Sequence, residues 1–394
     1  MRIFVTGIGI ISALGNNAQQ NRSSLSSGKS GISSLEMLSS RYASIMPFGE
    51  VKISTDDLIK KMDARESGVT RTDLLALHAF NEAVNNSRLT PAQLSDPNTA
   101  LIGASTVGGM CLTDELFLDS TSREVGSPYL SSYDCASPVM YLQKRFSIGG
   151  VINSINTACS SSANAIMYGA RLIKQGKAKR AIVGGTDSLA KFTINGFNSL
   201  LILSDAPCQP FDEARRGLNL GEGAAFLVLE AEEDVKDKNC YAELTGYSNT
   251  NDAFHPSSLS DNGDGPFLSM QGALRTAGLE TSQIDFINAH GTGTENNDLV
   301  ESRAMINLFT TPPPFVSTKA YTGHTLGAAG AIEAVFSIFS LVNDEIYPAV
   351  NFEHAIADTG LVPAKKFEKK RISHVMSNSF GFGGNCTSLI LSKV

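Results

Sequence analysis

The chain has 394 residues, a net charge of −7, a charged share of 18% and 35 glycines. That length exceeds the roughly 250 to 300 residues at which one hydrophobic core stops growing, so two core-bearing units are expected. The acidic balance argues against nucleic acid as a partner, and an ordinary apolar share with few charges describes a well-buried, loop-rich α/β enzyme rather than a disordered or fibrous chain.

The N-terminal run MRIFVTGIGIISALG reads as a strand entering a tight turn, because Gly7 and Gly9 interrupt it and one Arg is too little for the basic region of a signal peptide. Short β-branched strands then alternate with helices, which predicts mainly parallel sheets covered on both faces. TALIGAST (Thr99 to Thr106) is one strand and VINSIN (Val151 to Asn156) another. VINSIN leads into a helix with apolar positions Ala163, Ile166, Met167, Ala170 and Ile173, and Gly176 stops it. KRAIVGG (Lys179 to Gly185) returns as a strand. The charged segment Glu230 to Asn239 reads as a solvated turn or helix end, near the boundary between two units.

After that boundary the grammar repeats. IDFINAHG (Ile284 to Gly291) echoes TALIGAST, and His324 begins a Gly/Ala-rich helix much as Cys159 begins the earlier one, which indicates an internal duplication. The apolar stretch Leu326 to Val342 carries Glu333 in its middle and is expected to be a core helix, with no membrane insertion.

Four motifs carry the chemistry. Cys159 is placed at the first turn of its helix, where the positive end of the macrodipole favours thiolate; as a residue type alone, a buried Cys is more often a small hydrophobe. His290 ends an apolar strand at the carboxyl edge of a sheet, where open α/β sheets bind ligands. His324 stands at a helix start, which disfavours imidazolium and leaves a neutral ring able to donate to an oxyanion. NSFGFGGNC (Asn378 to Cys386) is a glycine turn whose main-chain N–H groups can approach a substrate, with Phe380 and Phe382 flanking an acyl-sized cavity. It lacks the Lys-Ser/Thr of a phosphate loop, and the N-terminal glycines lack the rest of a dinucleotide fingerprint. Lys319 and Glu333 stand in nearly uncharged surroundings and are expected to pair. The six cysteines show no C-x-x-C and no zinc spacing, so reduced thiols in the cytoplasm, no metal and no cofactor are expected.

TACSSS at Cys159, GEGAAFLVLE (Gly221 to Glu230), NAHGTGTENND at His290, STKAYTGHTLGAAGAIEA around His324 and NSFGFGG resemble, in that order and over essentially the whole chain, the elongating Cys-His-His β-ketoacyl-acyl carrier protein synthases. The resemblance implies a thiolase-like fold of two duplicated halves in a five-layer α-β-α-β-α sandwich, residues 1–240 carrying the nucleophile and 241–394 the two histidines, usually as a homodimer. It implies that Cys159 accepts an acyl chain from a carrier's phosphopantetheine thiol and that His290 and His324 bind the malonyl thioester and promote decarboxylation. Backbone N–H groups of Cys159 and Phe382 correspond to the oxyanion hole, and Lys319 and Glu333 to supporting charges. Phe382, with Phe380 beside it, corresponds to the gate, Asp252 to a loop that moves with the gate, and Thr292 and Thr294 to hydroxyls near the pantetheine arm. Arg65, Arg71, Arg215 and Arg216 are candidates for a basic rim that docks the acidic acyl carrier protein.

Two departures stand out. Asn385 and Cys386 replace the Thr-Asn that commonly follows the glycines, and the segment Leu200 to Gly217 is shortened. They keep a specialised ketosynthase of a polyene or other secondary pathway, paired with a chain-length subunit as a heterodimer, as the alternative to fatty acid elongation. A degradative thiolase is disfavoured by His324 where a second Cys is expected, and a chain-starting synthase by two His in place of His and Asn. A non-catalytic chain-length partner is disfavoured by Cys159.

Overall fold

The computed structural model describes residues 1–122, 126–235 and 238–394. The expected charged turn from Glu230 to Asn239 therefore lies partly outside the described residues, at 236 and 237.

Ten strands form one sheet: β1 (Ile3–Ser12), β2 (Thr99–Ala104), β3 (Ile152–Ile155), β4 (Arg180–Asp187), β5 (Gly223–Ala231), β6 (Ala242–Asn251), β7 (Phe286–Asn288), β8 (Phe315–Val316), β9 (His374–Phe380) and β10 (Asn385–Ser392). Their spatial order is β3-β2-β4-β5-β1-β6-β10-β9-β7-β8. Read outward from the middle, both halves have one topology. In the first, β1 is antiparallel to β5, β5 is antiparallel to β4, and β4, β2 and β3 are parallel. In the second, β6, β10, β9, β7 and β8 repeat that scheme. The halves join where Phe4 and Val5 pair antiparallel with Glu243 and Ala242.

Mainly parallel sheets were expected, and here the structure differs. Parallel pairing is confined to the outer three strands of each half, and the pairings nearer the middle are antiparallel. The four residues between β9 and β10, Gly381 to Gly384, are too few for a crossover, so the chain can only return antiparallel.

Five helices complete the layers: α1 (Arg71–Ser87), α2 (Ser161–Lys174), α3 (Asp264–Ala277), α4 (Glu295–Phe309) and α5 (Ala329–Asn343). α2 and α5 pack on each other between the two half-sheets, α1 covers the outer face of the first half, and α3 and α4 cover that of the second. This is the five-layer α-β-α-β-α arrangement. Its centre explains the Gly/Ala composition of both inner helices, because a Cβ on Gly330 would lie 2.8 Å from the Ala163 Cβ. Leu326–Asn343 is long and apolar enough to cross a membrane by length and composition, yet every residue from Ala329 to Leu341 is buried in the protein core, Glu333 included.

Candidate active site

The same device brings a functional side chain to the centre from each half. β3 ends at Ile155 and α2 begins at Ser161, so Cys159 sits on the connecting elbow, just before the helix rather than in its first turn. Ala158 takes a left-handed φ of +53° to make the bend. Ser161 closes it: its hydroxyl accepts from Thr157 N–H (2.9 Å) and donates to Ala158 C=O (2.5 Å). The turn after β9 lies directly against this elbow. A Cβ on Gly381 would stand 2.6 Å from the Thr157 carbonyl oxygen and 3.2 Å from the Cys159 nitrogen, so the approach requires glycine.

Cys159 is not a resting thiolate. Burial pushes its thiol up to about 11, outweighing the opposing pull of the Lys319 charge and of the Phe382 and Cys159 backbone N–H groups. The expectation from the helix end is corrected accordingly: removing an anion from water costs more than a helix terminus returns.

His290 follows β7, and its loop is held by Glu301 of α4, which accepts the N–H groups of His290 (2.9 Å) and Gly291 (2.8 Å). Lys319 Nζ donates to the His290 carbonyl (2.7 Å) and to His290 Nδ1 (3.1 Å), and it also pairs with the Glu333 carboxylate. Because Nδ1 accepts, the ring proton resides on Nε2. His324 reaches the same state by a local route, as Leu326 N–H donates to its Nδ1 (3.1 Å). Its Nε2 is buried and has no hydrogen-bond partner among the described residues.

Both rings are neutral. Burial, then the Lys319 charge and His324, holds His290 well below the usual histidine range, and burial with Lys319 does the same for His324. Burial also raises Glu333 to about 7, against the pull of Lys319. The Cys159 sulfur and a ring nitrogen of each histidine lie within 4.8 Å of one another. A thiol and two imidazoles at that spacing also match a zinc donor set, which the positive charge beside His290 Nδ1 opposes.

A cavity of about 440 Å³ is lined by these three residues, by Thr292 and Thr294, and by exposed Arg216. The two threonine hydroxyls are 2.8 Å apart. Phe380 is buried with its ring 5.7 Å from that of His290, whereas Phe382 is 36% exposed and stacks on Phe197 at 6.1 Å. Asp252 lies behind the turn, not in the cavity. Its N–H donates to the Gly384 carbonyl (2.7 Å), and its carboxylate accepts from the Ser260 hydroxyl (2.8 Å).

The expected basic rim does not form as a unit. Arg71 is nearly buried, forks onto Glu222 and donates to the Val51 and Ile53 carbonyls. Arg215 is also buried, donating to the carbonyls of Asp212, Thr294 and Glu295. Both guanidiniums are spent inside the protein and are unavailable to a carrier. Arg65 is exposed beside Asp63 and away from the cavity lining, which leaves Arg216 at the mouth. Sequence reasoning did not reach Phe197, Glu301, or the grip of Asn385 on the elbow. Only the last had a signal, its departure from the common motif.

The sequence matches the family descriptions "Beta-ketoacyl synthase, N-terminal domain" over residues 1–235 and "Beta-ketoacyl synthase, C-terminal domain" over 241–353. It is 33% identical to the putative mitochondrial 3-oxoacyl-[acyl-carrier-protein] synthase of Schizosaccharomyces pombe, covering 100% of this chain and 99% of that one. It is 32% identical to 3-oxoacyl-[acyl-carrier-protein] synthase 2 of Staphylococcus aureus, covering 100% and 98%. Among solved structures, the ketosynthase ApeO in complex with its chain length factor ApeC from Xenorhabdus doucetiae superposes with a TM-score of 0.87 at 30% identity, over 100% of this chain and 98% of that one. With both halves matched in order and full-length relatives above 30% identity, the chain belongs to the β-ketoacyl synthase family.

Proposed function

We propose that the protein condenses an acyl chain held on Cys159 with malonyl-acyl carrier protein, releasing carbon dioxide and β-ketoacyl-acyl carrier protein, in fatty acid chain elongation. The observation that carries this reading is the pair of neutral histidines, each fixed with its proton on Nε2 beside the Cys159 sulfur.

In the first stage the Cys159 sulfur attacks the carrier thioester carbonyl. The negative oxygen is met by the backbone N–H groups of Cys159 and Phe382, the pantetheine sulfur leaves, and the proton from Cys159 ends on that sulfur. In the second stage the malonyl thioester carbonyl accepts from His290 and His324. Loss of carbon dioxide leaves the bonding electrons as an enolate, whose oxygen the two Nε2–H donors stabilise. The enolate carbon attacks the acyl thioester, the carbon–sulfur bond to Cys159 breaks, and the sulfur takes up one proton from solvent, the proton that the overall condensation consumes. Lys319 holds His290 in the donating tautomer throughout, and Glu333 balances its charge.

Thr292 and Thr294 line the route for the pantetheine arm, and Phe382 gates it. Arg216 meets the carrier. The two functional halves are residues 1–240 and 241–394. The six free cysteines support action in the reducing cytoplasm.

A second subunit is supported by β3, an edge strand of the sheet, with Val151 exposed just before it. A homodimer is the main reading. The ketosynthase relative solved with a chain length factor supports the alternative, a specialised enzyme working as a heterodimer. Supplying the purified protein with a panel of acyl-carriers and malonyl-carrier, and weighing the products, tests both. Extension of saturated chains by the protein alone fits elongation, condensation only with a homologous subunit fits the alternative, and no condensation with either sinks both.

A further inference from the structure

The geometry points to Asn385 as a positioning residue that fixes the oxyanion hole, by tying the turn that carries the Phe382 N–H to the elbow that carries the Cys159 N–H. The inference rests on the synthase reading above and adds a role for a residue outside its reacting groups.

An oxyanion hole works only when both donors stand about 2.7–3.1 Å from one oxygen. Here the donors come from opposite halves of the chain and from loops, which are the least constrained part of a fold. A misplacement of about 1 Å costs on the order of 100-fold in rate. Some contact must therefore hold the turn and the elbow in register.

Asn385 makes that contact. It is the first residue of β10, and its main-chain carbonyl accepts from Gly381 N–H (2.8 Å), which closes the turn around Phe382. Its side-chain Oδ1 accepts from Asn164 Nδ2 (2.8 Å) in the first turns of α2 and lies 2.7 Å from Ser160 Oγ, next to Cys159, whose single proton it shares with the Thr157 carbonyl (2.8 Å). Asn249 Nδ2 of β6 donates to the same oxygen (2.7 Å). The elbow side of the link is itself braced. Asn164 Nδ2 also donates to Thr157 Oγ1 (2.9 Å), and Asn164 Oδ1 accepts from Thr387 Oγ1 (2.9 Å). One carboxamide oxygen thus bridges the nucleophile elbow and two strands of the other half, at the base of the turn whose tip is the exposed Phe382. A substrate that moves Phe382 moves the tip about this fixed point, and the donor geometry is restored when the tip returns.

The two half-reactions separate this role from a merely structural one. Transfer of an acyl chain from carrier to Cys159 uses the oxyanion hole, whereas decarboxylation of malonyl-carrier uses His290 and His324. Asn385→Ala should slow acyl transfer by about 10- to 100-fold, within the penalty for one misplaced donor. In a Cys159→Ala background the same change should alter decarboxylation by less than about threefold, the direct loss of an oxyanion donor being about 100- to 1000-fold for comparison. Asn385→Asp keeps the accepting oxygen and should return acyl transfer to within a few-fold of the parent. Should Asn385→Ala fail to fold, Ser160→Ala removes a donor from the elbow side and must show the same split. Equal loss of both half-reactions, no loss in either, or an Asp variant as slow as the Ala variant overturns the assignment. Absence of both half-reactions in the unmodified protein overturns the synthase reading instead.

Discussion

The imidazole rings of His290 and His324 meet edge to face, 5.6 Å between centroids and 84° between planes. Two imidazoliums at that separation would repel one another, and here neither forms. Each ring accepts at Nδ1, from Lys319 in one case and from the Leu326 backbone in the other, and each has its proton on Nε2. The pair is therefore a set of two neutral donors arranged before any substrate arrives, which is what an enolate oxygen requires.

Neutral histidines give a pH signature. In a Cys159→Ala background, any inflection of malonyl-carrier decarboxylation between pH 8 and 6.5 should belong to the Glu301 and Glu333 carboxyls, raised to about 7, because both rings titrate well below that range. An inflection near 6.5 that survives Glu301→Gln and Glu333→Gln contradicts the tautomer assignment. Stability carries the same sign: a histidine whose folded pKa is depressed contributes stability above its unfolded value, and that stability is lost as pH falls below about 6.5. Glu301 and Glu333, raised to about 7, act oppositely, losing their contribution as pH rises towards 7. The histidine share is isolated by difference: His324→Asn should gain melting temperature relative to the parent as pH drops from 7 to 5.

Cys159 alkylation should track a buried thiol. Only thiolate reacts, so the iodoacetamide rate at Cys159 should climb about tenfold per pH unit and show no plateau below about pH 10. A plateau below pH 8 would mean that the helix end and Lys319 outweigh burial after all.

Lys319→Ala should be severe for two separable reasons. It leaves Glu333 buried without its partner, a change that typically costs about 3 to 5 kcal/mol, and it removes the donor to His290 Nδ1. Lys319→Met with Glu333→Gln removes both charges together and should restore most of the melting temperature. Decarboxylation should remain depressed in that pair. Full recovery of decarboxylation would show that Lys319 serves only the fold.

Gly381→Ala tests the contact between turn and elbow. The added Cβ meets the Thr157 carbonyl oxygen at 2.6 Å, so the turn must withdraw and carry Phe382 N–H with it. Acyl transfer to Cys159 should fall by about 100-fold while circular dichroism stays that of the parent. Transfer within a few-fold of the parent would show that the close approach is dispensable.

Much of this was legible in the sequence because local grammar is repeated. The strands TALIGAST and IDFINAHG occupy equivalent places as β2 and β7, and the small-residue helices after Cys159 and His324 became the packed central pair α2 and α5. What escaped depended on partners distant in the chain. The charge state of Cys159 is set by enclosure, which its neighbours in sequence do not reveal. Arg71 and Arg215 look like solvated cations until Glu222 and a set of carbonyls are seen to close around them. Asn385 is one more polar residue after a turn until Ser160 and Asn164 arrive from the other half. The antiparallel return from β9 to β10 followed from a four-residue connection, which the strand patterns alone do not fix.

The central claim is that Cys159 carries an acyl chain that a malonyl-derived carbanion then removes. Its most direct test is intact-protein mass measured in a single turnover. Mixing with acyl-carrier alone should add the mass of one acyl group, mapped by peptide digestion to Cys159, and subsequent malonyl-carrier should discharge it with stoichiometric carbon dioxide and a carrier product two carbons longer. A folded protein that acquires no adduct at Cys159 from any chain length, with or without a homologous subunit, or an adduct that malonyl-carrier leaves in place, contradicts the account.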